Sequence, residues 1–179
     1  MTNKNVVFIA KSLDGYIADK DGGLDWLQYI PNPDNLDMGY KKFSNCVDAI
    51  VMGRKTFETV CGFDIDWPYS LPVFVMSSTL ESAAEEYKGK VEIIKGSPAE
   101  ITAELHKKGF TRLYIDGGVT IQNFLKEDLI DELIITTMPI LLGGGAPLFG
   151  DLPKEMEFEH VESTLYLNAI VQDHYRRKR

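Results

Sequence analysis

The stretch Ala49-Ile50-Val51-Met52-Gly53-Arg54-Lys55-Thr56-Phe57-Glu58 decides how the rest of the chain is read. Ala49 to Met52 is a continuous apolar run, the pattern of a strand covered on both faces. It ends in a glycine and turns at once into a helical pattern. A glycine there lets a ligand approach bare backbone, and the unbonded amides of the first helical turn present positive dipole ends suited to phosphate. Arg54 and Lys55 add cationic donors, and Thr56 adds a hydroxyl. A guanidinium engages phosphate through a planar fork, so Arg54 is placed to select a 2′-phosphate. Beside this stands the plainer reading, an ordinary strand-to-helix turn with solvated basic residues.

The segment Arg112-Leu113-Tyr114-Ile115-Asp116-Gly117-Gly118-Val119-Thr120-Ile121 repeats the logic. Paired glycines between a buried strand and a helix allow a pyrophosphate to lie against backbone, although a glycine pair alone also serves as a tight turn. The GxGxxG fingerprint is absent and no acidic residue follows at the ribose-binding distance, which disfavours a standard Rossmann assignment.

Outward from these two segments, short apolar runs recur at Val6 to Ala10, Val73 to Met76, Val91 to Ile94 and Leu133 to Met138. Helix-like stretches alternate with them. The clearest is Ser97 to Lys108, with Ser97 as N-cap, Pro98 at the first helical position, Glu100 in the capping-box place and Gly109 as the stop. Asp37 to Asn45 and Val119 to Lys126 are further helix candidates. Glu157 to Leu167 and Ala169 to Arg176, with Asn168 between them, read as an antiparallel hairpin at a sheet edge. The pattern predicts an α/β protein, a three-layer α/β/α sandwich with a mostly parallel central sheet and a C-terminal antiparallel hairpin. No repeat or dividing linker is evident, so 1–179 is expected to form a single domain.

Composition narrows the function classes. A chain of 179 residues with 44% hydrophobic content can bury a substantial core. Its formal net charge of −8 argues against a basic nucleic-acid-binding surface. The two cysteines, Cys46 and Cys61, lack zinc-site spacing and are expected to be buried free thiols. His106, His160 and His174 are scattered and predict no metal site. No apolar run is long enough for a membrane span or a signal core, which points to the cytoplasm. The triple glycine Gly143-Gly144-Gly145 lacks the Lys-Ser/Thr pair of a Walker motif and reads as a flexible connection. The basic tail Arg176 to Arg179 reads as solvated.

Met52-Gly53-Arg54-Lys55-Thr56-Phe57-Glu58 resembles the MGRxTxE signature of the dihydrofolate reductase superfamily, and the surrounding order agrees. Val7-Phe8-Ile9-Ala10 followed by Ser12-Leu13-Asp14-Gly15-Tyr16-Ile17-Ala18 is similar to the first strand and mobile active-site loop of that superfamily. Leu71 to Ser78 resembles the strand ending in a Ser-Ser pair near the adenosine. The Ser12 to Ile17 opening, and the stretch from Asp131-Glu132-Leu133 through Pro139 to Gly145 and on to Leu148-Phe149, resemble the relatives that share the fold with the riboflavin-pathway pyrimidine reductase. This is the riboflavin-biosynthesis reductase C-terminal-domain-like (RibD C-terminal) family.

The resemblance implies an NADPH-dependent oxidoreductase acting on a small heterocyclic substrate, pterin- or folate-like or a pyrimidine. A specific alternative is 5-amino-6-(5-phosphoribosylamino)uracil reductase; an alternative of another class is a non-catalytic nucleotide-binding module. The resemblance places the nicotinamide near Ala10 and Ile17. Phosphates fall at Gly53, Arg54, Lys55 and Thr56, the adenosine ribose near Ser77 and Ser78, and the pyrophosphate at Gly117, Gly118, Val119, Thr120 and Ile121. It further implies substrate contacts from Trp26, Asp37 and Tyr40. Asp37, sixteen residues before Gly53, matches the spacing of the family's proton-delivering carboxylate. A partly buried carboxylate would have the raised pKa such a role needs, yet an Asp following Asn32 to Leu36 equally suits a helix start. Asp25 and Tyr40 are substitutes for that role. A phosphorylated substrate arm would require a cation from Lys11, Lys41 or Lys42. Relatives of this type pair, which implies a homodimer through the apolar Leu165 to Val171 region.

Overall fold

The computed structural model describes residues 2–179. In chain order it runs β1 (Lys4–Ser12), β2 (Tyr16–Ala18), α1 (Tyr40–Ser44), β3 (Ala49–Gly53), α2 (Arg54–Cys61), β4 (Val73–Met76), β5 (Val91–Ile94), α3 (Pro98–Lys107), β6 (Arg112–Asp116), α4 (Gly118–Lys126), β7 (Glu132–Met138), β8 (Ala146–Pro147), β9 (Phe158–Tyr166) and β10 (Ile170–Arg177). Eight strands form one sheet in the order β5-β4-β3-β6-β1-β7-β10-β9. The first six are parallel to their neighbours, and β10 and β9 are antiparallel. The parallel strands therefore all deliver their C-terminal ends to one edge, where ligands bind in open α/β sheets.

Both faces of the central strands are apolar, which is why their sequences read as unbroken hydrophobic runs. Successive residues point to opposite faces. Val7, Val51, Leu113 and Ile115 pack under α3 and α4 with Ile101, Leu105, Ile121 and Phe124. Val6, Ile50, Met52 and Tyr114 pack on the other side with Phe43 of α1 and Phe57 of α2. The three-layer sandwich follows.

Local signals set several boundaries. The capping box at α3 forms as read: the Glu100 amide donates to Ser97 Oγ at 3.2 Å and the Ser97 amide to Glu100 Oε2 at 2.8 Å. The C-terminal hairpin turns through Leu167 and Asn168, with φ of 53° and 54°, the left-handed pair of a type I′ turn. Leu167 is an unusual residue there, but its side chain packs into a third apolar cluster with Trp26, Met138 and Ile170.

Other expectations need correction. The helix expected from Asp37 begins only at Tyr40, because Asp37 serves as its capping acceptor. Cys46 is exposed rather than buried. His106 is partly buried, and its Nε2 has no partner. The basic tail is not simply solvated: Arg177, whose side chain is 8% exposed, holds Asp128 through Nε at 2.8 Å and a second guanidinium nitrogen at 3.1 Å, and Arg179 reaches Asp131 at 2.5 Å. The triple glycine is more than a flexible joint. Gly145, at φ +132°, lies so close to the Ala18 carbonyl that no Cβ fits, and this approach lets β8 pair with β2 in a small second sheet. Among the described residues no helix is long and apolar enough to cross a membrane.

Candidate active site

β3 and β6 are neighbours, with Met52 opposite Asp116, so Gly53 and Gly117 leave the sheet side by side. α2 and α4 begin next to one another. The two turns interlock. A Cβ on Gly53 would lie 2.8 Å from Thr120 Oγ1, and one on Gly117 would collide with Thr56 Oγ1. Each glycine thus makes room for the threonine of the opposite turn, and Gly117 also needs its φ of +96°. A Cβ on Gly118 would lie 2.9 Å from Ile17 Cδ1 and 3.3 Å from the Pro147 carbonyl. Ile17, Gly53, Thr56, Gly117, Gly118 and Thr120, scattered over a hundred residues, therefore share one spot.

Neither α2 nor α4 has a side-chain acceptor on the amides of its first turn. The Gly117 amide is taken by Asp116 Oδ1 at 2.9 Å, but the amides that follow it lie within the uncapped turn. Two adjacent uncapped helix starts concentrate partial positive charge, which suits a pyrophosphate. Val119, 70% exposed, and the exposed Lys55 flank the turns, and Ile121 is buried beneath them. Just beyond β4, Arg54 donates to Thr79 Oγ1 at 2.8 Å and pairs with Glu58 at 2.6 Å. Ser77 Oγ accepts the Leu80 amide at 3.0 Å, and Ser78 is exposed. Thr79 joins this cluster although the sequence reading stopped at the Ser-Ser pair; a third hydroxyl in Ser77-Ser78-Thr79 was the available signal.

Ala10 pairs with Thr136 on β7, and the loop after β1 is tied through Asp14 to the segment that follows β7. Asp14 accepts Ser12 Oγ at 2.6 Å and the amides of Leu142 and Gly143 at 3.1 and 2.8 Å. The Ser12 hydroxyl, outweighing the cost of desolvation, and these two amides hold the Asp14 carboxyl down at about 2.

The residues expected to carry substrate chemistry divide. Asp37 is exposed, and its carboxylate accepts the Gly39 and Lys41 amides at 3.0 and 2.8 Å; the expected partly buried acid is instead the cap of α1. Trp26 is 6% exposed and packed against Met138 and Ile170, although its indole N–H is buried without a partner. Asp25 is exposed. Tyr40 does face the cleft between α1 and the segment Pro68 to Leu71.

A different carboxylate, Asp116, stands at the C-terminal end of β6. Asp116 follows Tyr114 by two, so it points to the same face as Tyr114 and Met52, under α1 and α2. Burial pushes its carboxyl up to about 6 against the pull of the Gly117 amide. Burial together with the Asp116 charge raises the Tyr40, Tyr69 and Tyr114 phenols, so all three remain protonated. Tyr114 donates to the Phe8 carbonyl at 3.1 Å. In the sequence Asp116 was read only as the start of a glycine turn, because what shifts its pKa arrives from distant segments. Among the described residues no group of three His, Cys, Asp or Glu is placed to hold a metal ion.

A sheet of this order, with two glycine turns at the C-terminal ends of adjacent parallel strands, defines a protein of the dihydrofolate reductase-like fold. The fold match is direct: dihydrofolate reductase from Enterococcus faecalis complexed with NADP(H) superimposes with a TM-score of 0.69 over 98% of this chain and 97% of that one, at 22% identity. More specifically, residues 4–171 match the model of the RibD C-terminal domain, and the chain belongs to that family. It is 37% identical over 177 residues, 98% of each chain, to the uncharacterized protein YwjB of Bacillus subtilis. It is 56% identical, with a TM-score of 0.96 over 98% of this chain and 99% of the other, to a protein of Shewanella sp. PV-4 provisionally assigned to riboflavin biosynthesis.

Proposed function

We propose that this protein is a cytoplasmic NADPH-dependent reductase that delivers a hydride to a small heterocyclic acceptor of the pterin or pyrimidine type. The observation that carries the reading is the pair of interlocked glycine turns, which gathers two uncapped helix starts at one point. The chain's residues fit the cofactor. Gly117 to Ile121 would hold the pyrophosphate against backbone amides, with Gly53, Lys55 and Thr56 completing the cradle. Arg54, Ser77, Ser78 and Thr79 would take the 2′-phosphate and adenosine ribose. Ala10 and Ile17 would border the nicotinamide, which when bound supplies the hydride.

On the acceptor side the protein has to position a flat ring and provide one proton. Asp116 suits this better than Asp37. It ends β6 directly before the Gly117 turn, and a carboxyl near pH 6 still carries its proton in part of the population at neutral pH. Tyr40, rather than Trp26, borders the acceptor. The family and the Shewanella likeness favour a pyrimidine of the riboflavin type, such as 5-amino-6-(5-phosphoribosylamino)uracil, over a folate. The test is loss of NADPH absorbance across a panel of pterins and aminopyrimidines. Turnover of one of them is expected, with activity lost as pH rises through a pKa near 6, a dependence that disappears in Asp116→Asn. If NADPH raises the melting temperature by mass action but no acceptor is turned over, the non-catalytic nucleotide-binding module replaces this reading.

The same proposal includes a homodimer. The face of β7, β10 and β9 on the α4 side carries Leu165 and Val171, exposed by 60% and 38%, around a cavity of about 340 Å³ lined by Lys11, Phe149, Phe158 and Asp173. Lys11 and Asp173 on one patch support an isologous pairing of opposite charges.

A further inference from the structure

Helix α1, which carries Tyr40, is too short to hold itself. Its five residues form little more than one turn, well below the length at which a helix stands without outside contacts. The chain that leads into it is also in costly backbone. Met38 and Gly39 are successive left-handed residues, with φ of 51° and 82°, and the Met38 side chain disfavours that region. Such a conformation persists only where its surroundings fix it. Phe43 anchors the far end of the helix by stacking on Phe8 of β1, with ring centroids 4.7 Å apart. At the near end Asp37 accepts the Gly39 and Lys41 amides from within the turn, but the Met38 carbonyl is met from the C-terminal hairpin. Gln172 on β10 donates to it from Nε2 at 2.9 Å, and the same nitrogen donates to Thr136 Oγ1 at 2.9 Å. A carbonyl only accepts, so this contact also fixes which way the Gln172 amide faces.

The two acceptors belong to the two halves of the assigned site. Thr136, buried on β7, stands opposite Ala10 on β1 and opposite Gln172 on β10, so the three residues form one row across the sheet on its α1 side. Met38 lies two residues before Tyr40. From β9, Tyr166 closes the same spot: a Cβ on Gly39 would lie 3.2 Å from its phenol oxygen. We propose that Gln172 is a positioning residue that fixes the start of α1, and with it Tyr40, relative to the strand of Ala10, so that acceptor and nicotinamide are held at a set separation. Loss of that separation acts on the hydride step, because a misplacement of about 1 Å between reacting partners costs on the order of a hundredfold. The inference rests on the acceptor and nicotinamide sides assigned above, but its first test needs no turnover.

That test is amide hydrogen exchange on the full chain. Gln172→Leu keeps the bulk and removes both donated bonds, so the amides from Gly39 to Ser44 should exchange about tenfold faster, while those of β3 and β6 stay as in wild type. Gln172→Glu keeps the shape but, once ionised, has no hydrogen to donate, and should behave like Gln172→Leu. Thr136→Ser retains the acceptor and should match wild type. Thr136→Val removes it, should show part of the effect, and decides the matter if Gln172→Leu does not fold. With an acceptor from the panel above, single-turnover oxidation of NADPH should slow about tenfold in Gln172→Leu, whereas NADPH affinity, read by nicotinamide fluorescence, should not change. Unchanged exchange from Gly39 to Ser44, faster exchange shared equally by β3 and β6, or a parallel loss of NADPH affinity overturns the proposal. A chain whose α1 loosens as expected but which turns over no acceptor would remove the reductase reading and leave the brace standing.

Discussion

Replacing Asp116 by asparagine keeps the acceptor for the Gly117 amide and removes only the ionisable group, so its consequence can be worked from the structure. Burial lifts the folded-state pKa from the ordinary 3.8 to about 6. Between those two values the folded protein holds more protons than the unfolded chain, so stability falls as pH rises through that window. Just over two pH units at about 1.4 kcal/mol each sets an upper bound of about 3 kcal/mol of destabilisation carried by ionised Asp116 above pH 7. Asp116→Asn should therefore stabilise the protein at pH 8, by up to about 3 kcal/mol, and much less at pH 4. For a chain of this length that corresponds to a rise in melting temperature of about 5–10 °C. Urea or thermal denaturation of both proteins at the two pH values reads it directly. A variant less stable than wild type at pH 8, or a difference independent of pH, would refute the argument that Asp116 is held in an unfavourable environment for its proposed chemistry.

Four further outcomes are expected. Arg54→Ala should weaken NADPH by tenfold or more, about 1.4 kcal/mol or above, and leave NADH nearly unchanged in a nicotinamide fluorescence titration; equal losses would dismiss the 2′-phosphate role. Gly117→Ala must strain a φ of +96° and press a methyl group onto Thr56, so a stability loss of about 2 kcal/mol or more is expected in urea melts, together with loss of cofactor binding. Glu132→Gln tests the opposite pH sign. Burial alone would raise its carboxyl, but Lys4 and His174 at 3.1 Å prevail and lower it. Its contribution is present above pH 4.5 and lost as pH falls below, so the variant should cost about 1–3 kcal/mol at pH 7 and little in strong acid. Leu165→Glu should yield a monomer by light scattering if the open face of β10 and β9 joins two copies.

Much of the scaffold could be read along the chain because its causes are local. Val73 to Met76 is a strand at the residues its apolar run marked, since a parallel strand buried on both faces has no choice but to be hydrophobic throughout. Ser97, Pro98 and Glu100 start a helix by contacts within one turn. The two glycine turns announced themselves through residues that only a close backbone approach demands. What tertiary structure alone decided is which of these pieces meet. The adjacency of β3 and β6 sets Thr56 against Gly117 and Thr120 against Gly53. The shortened α1 turns Asp37 into a cap, and burial at the end of β6 raises the Asp116 carboxyl. Tyr40 and Tyr69 come to line one cavity across some thirty residues of chain. Propensity and capping are properties of a few consecutive residues, whereas desolvation and charge coupling depend on what distant segments bring within a few ångströms. A sequence can therefore mark the strands and turns of such a site without saying which of its carboxylates and lysines will do the chemistry.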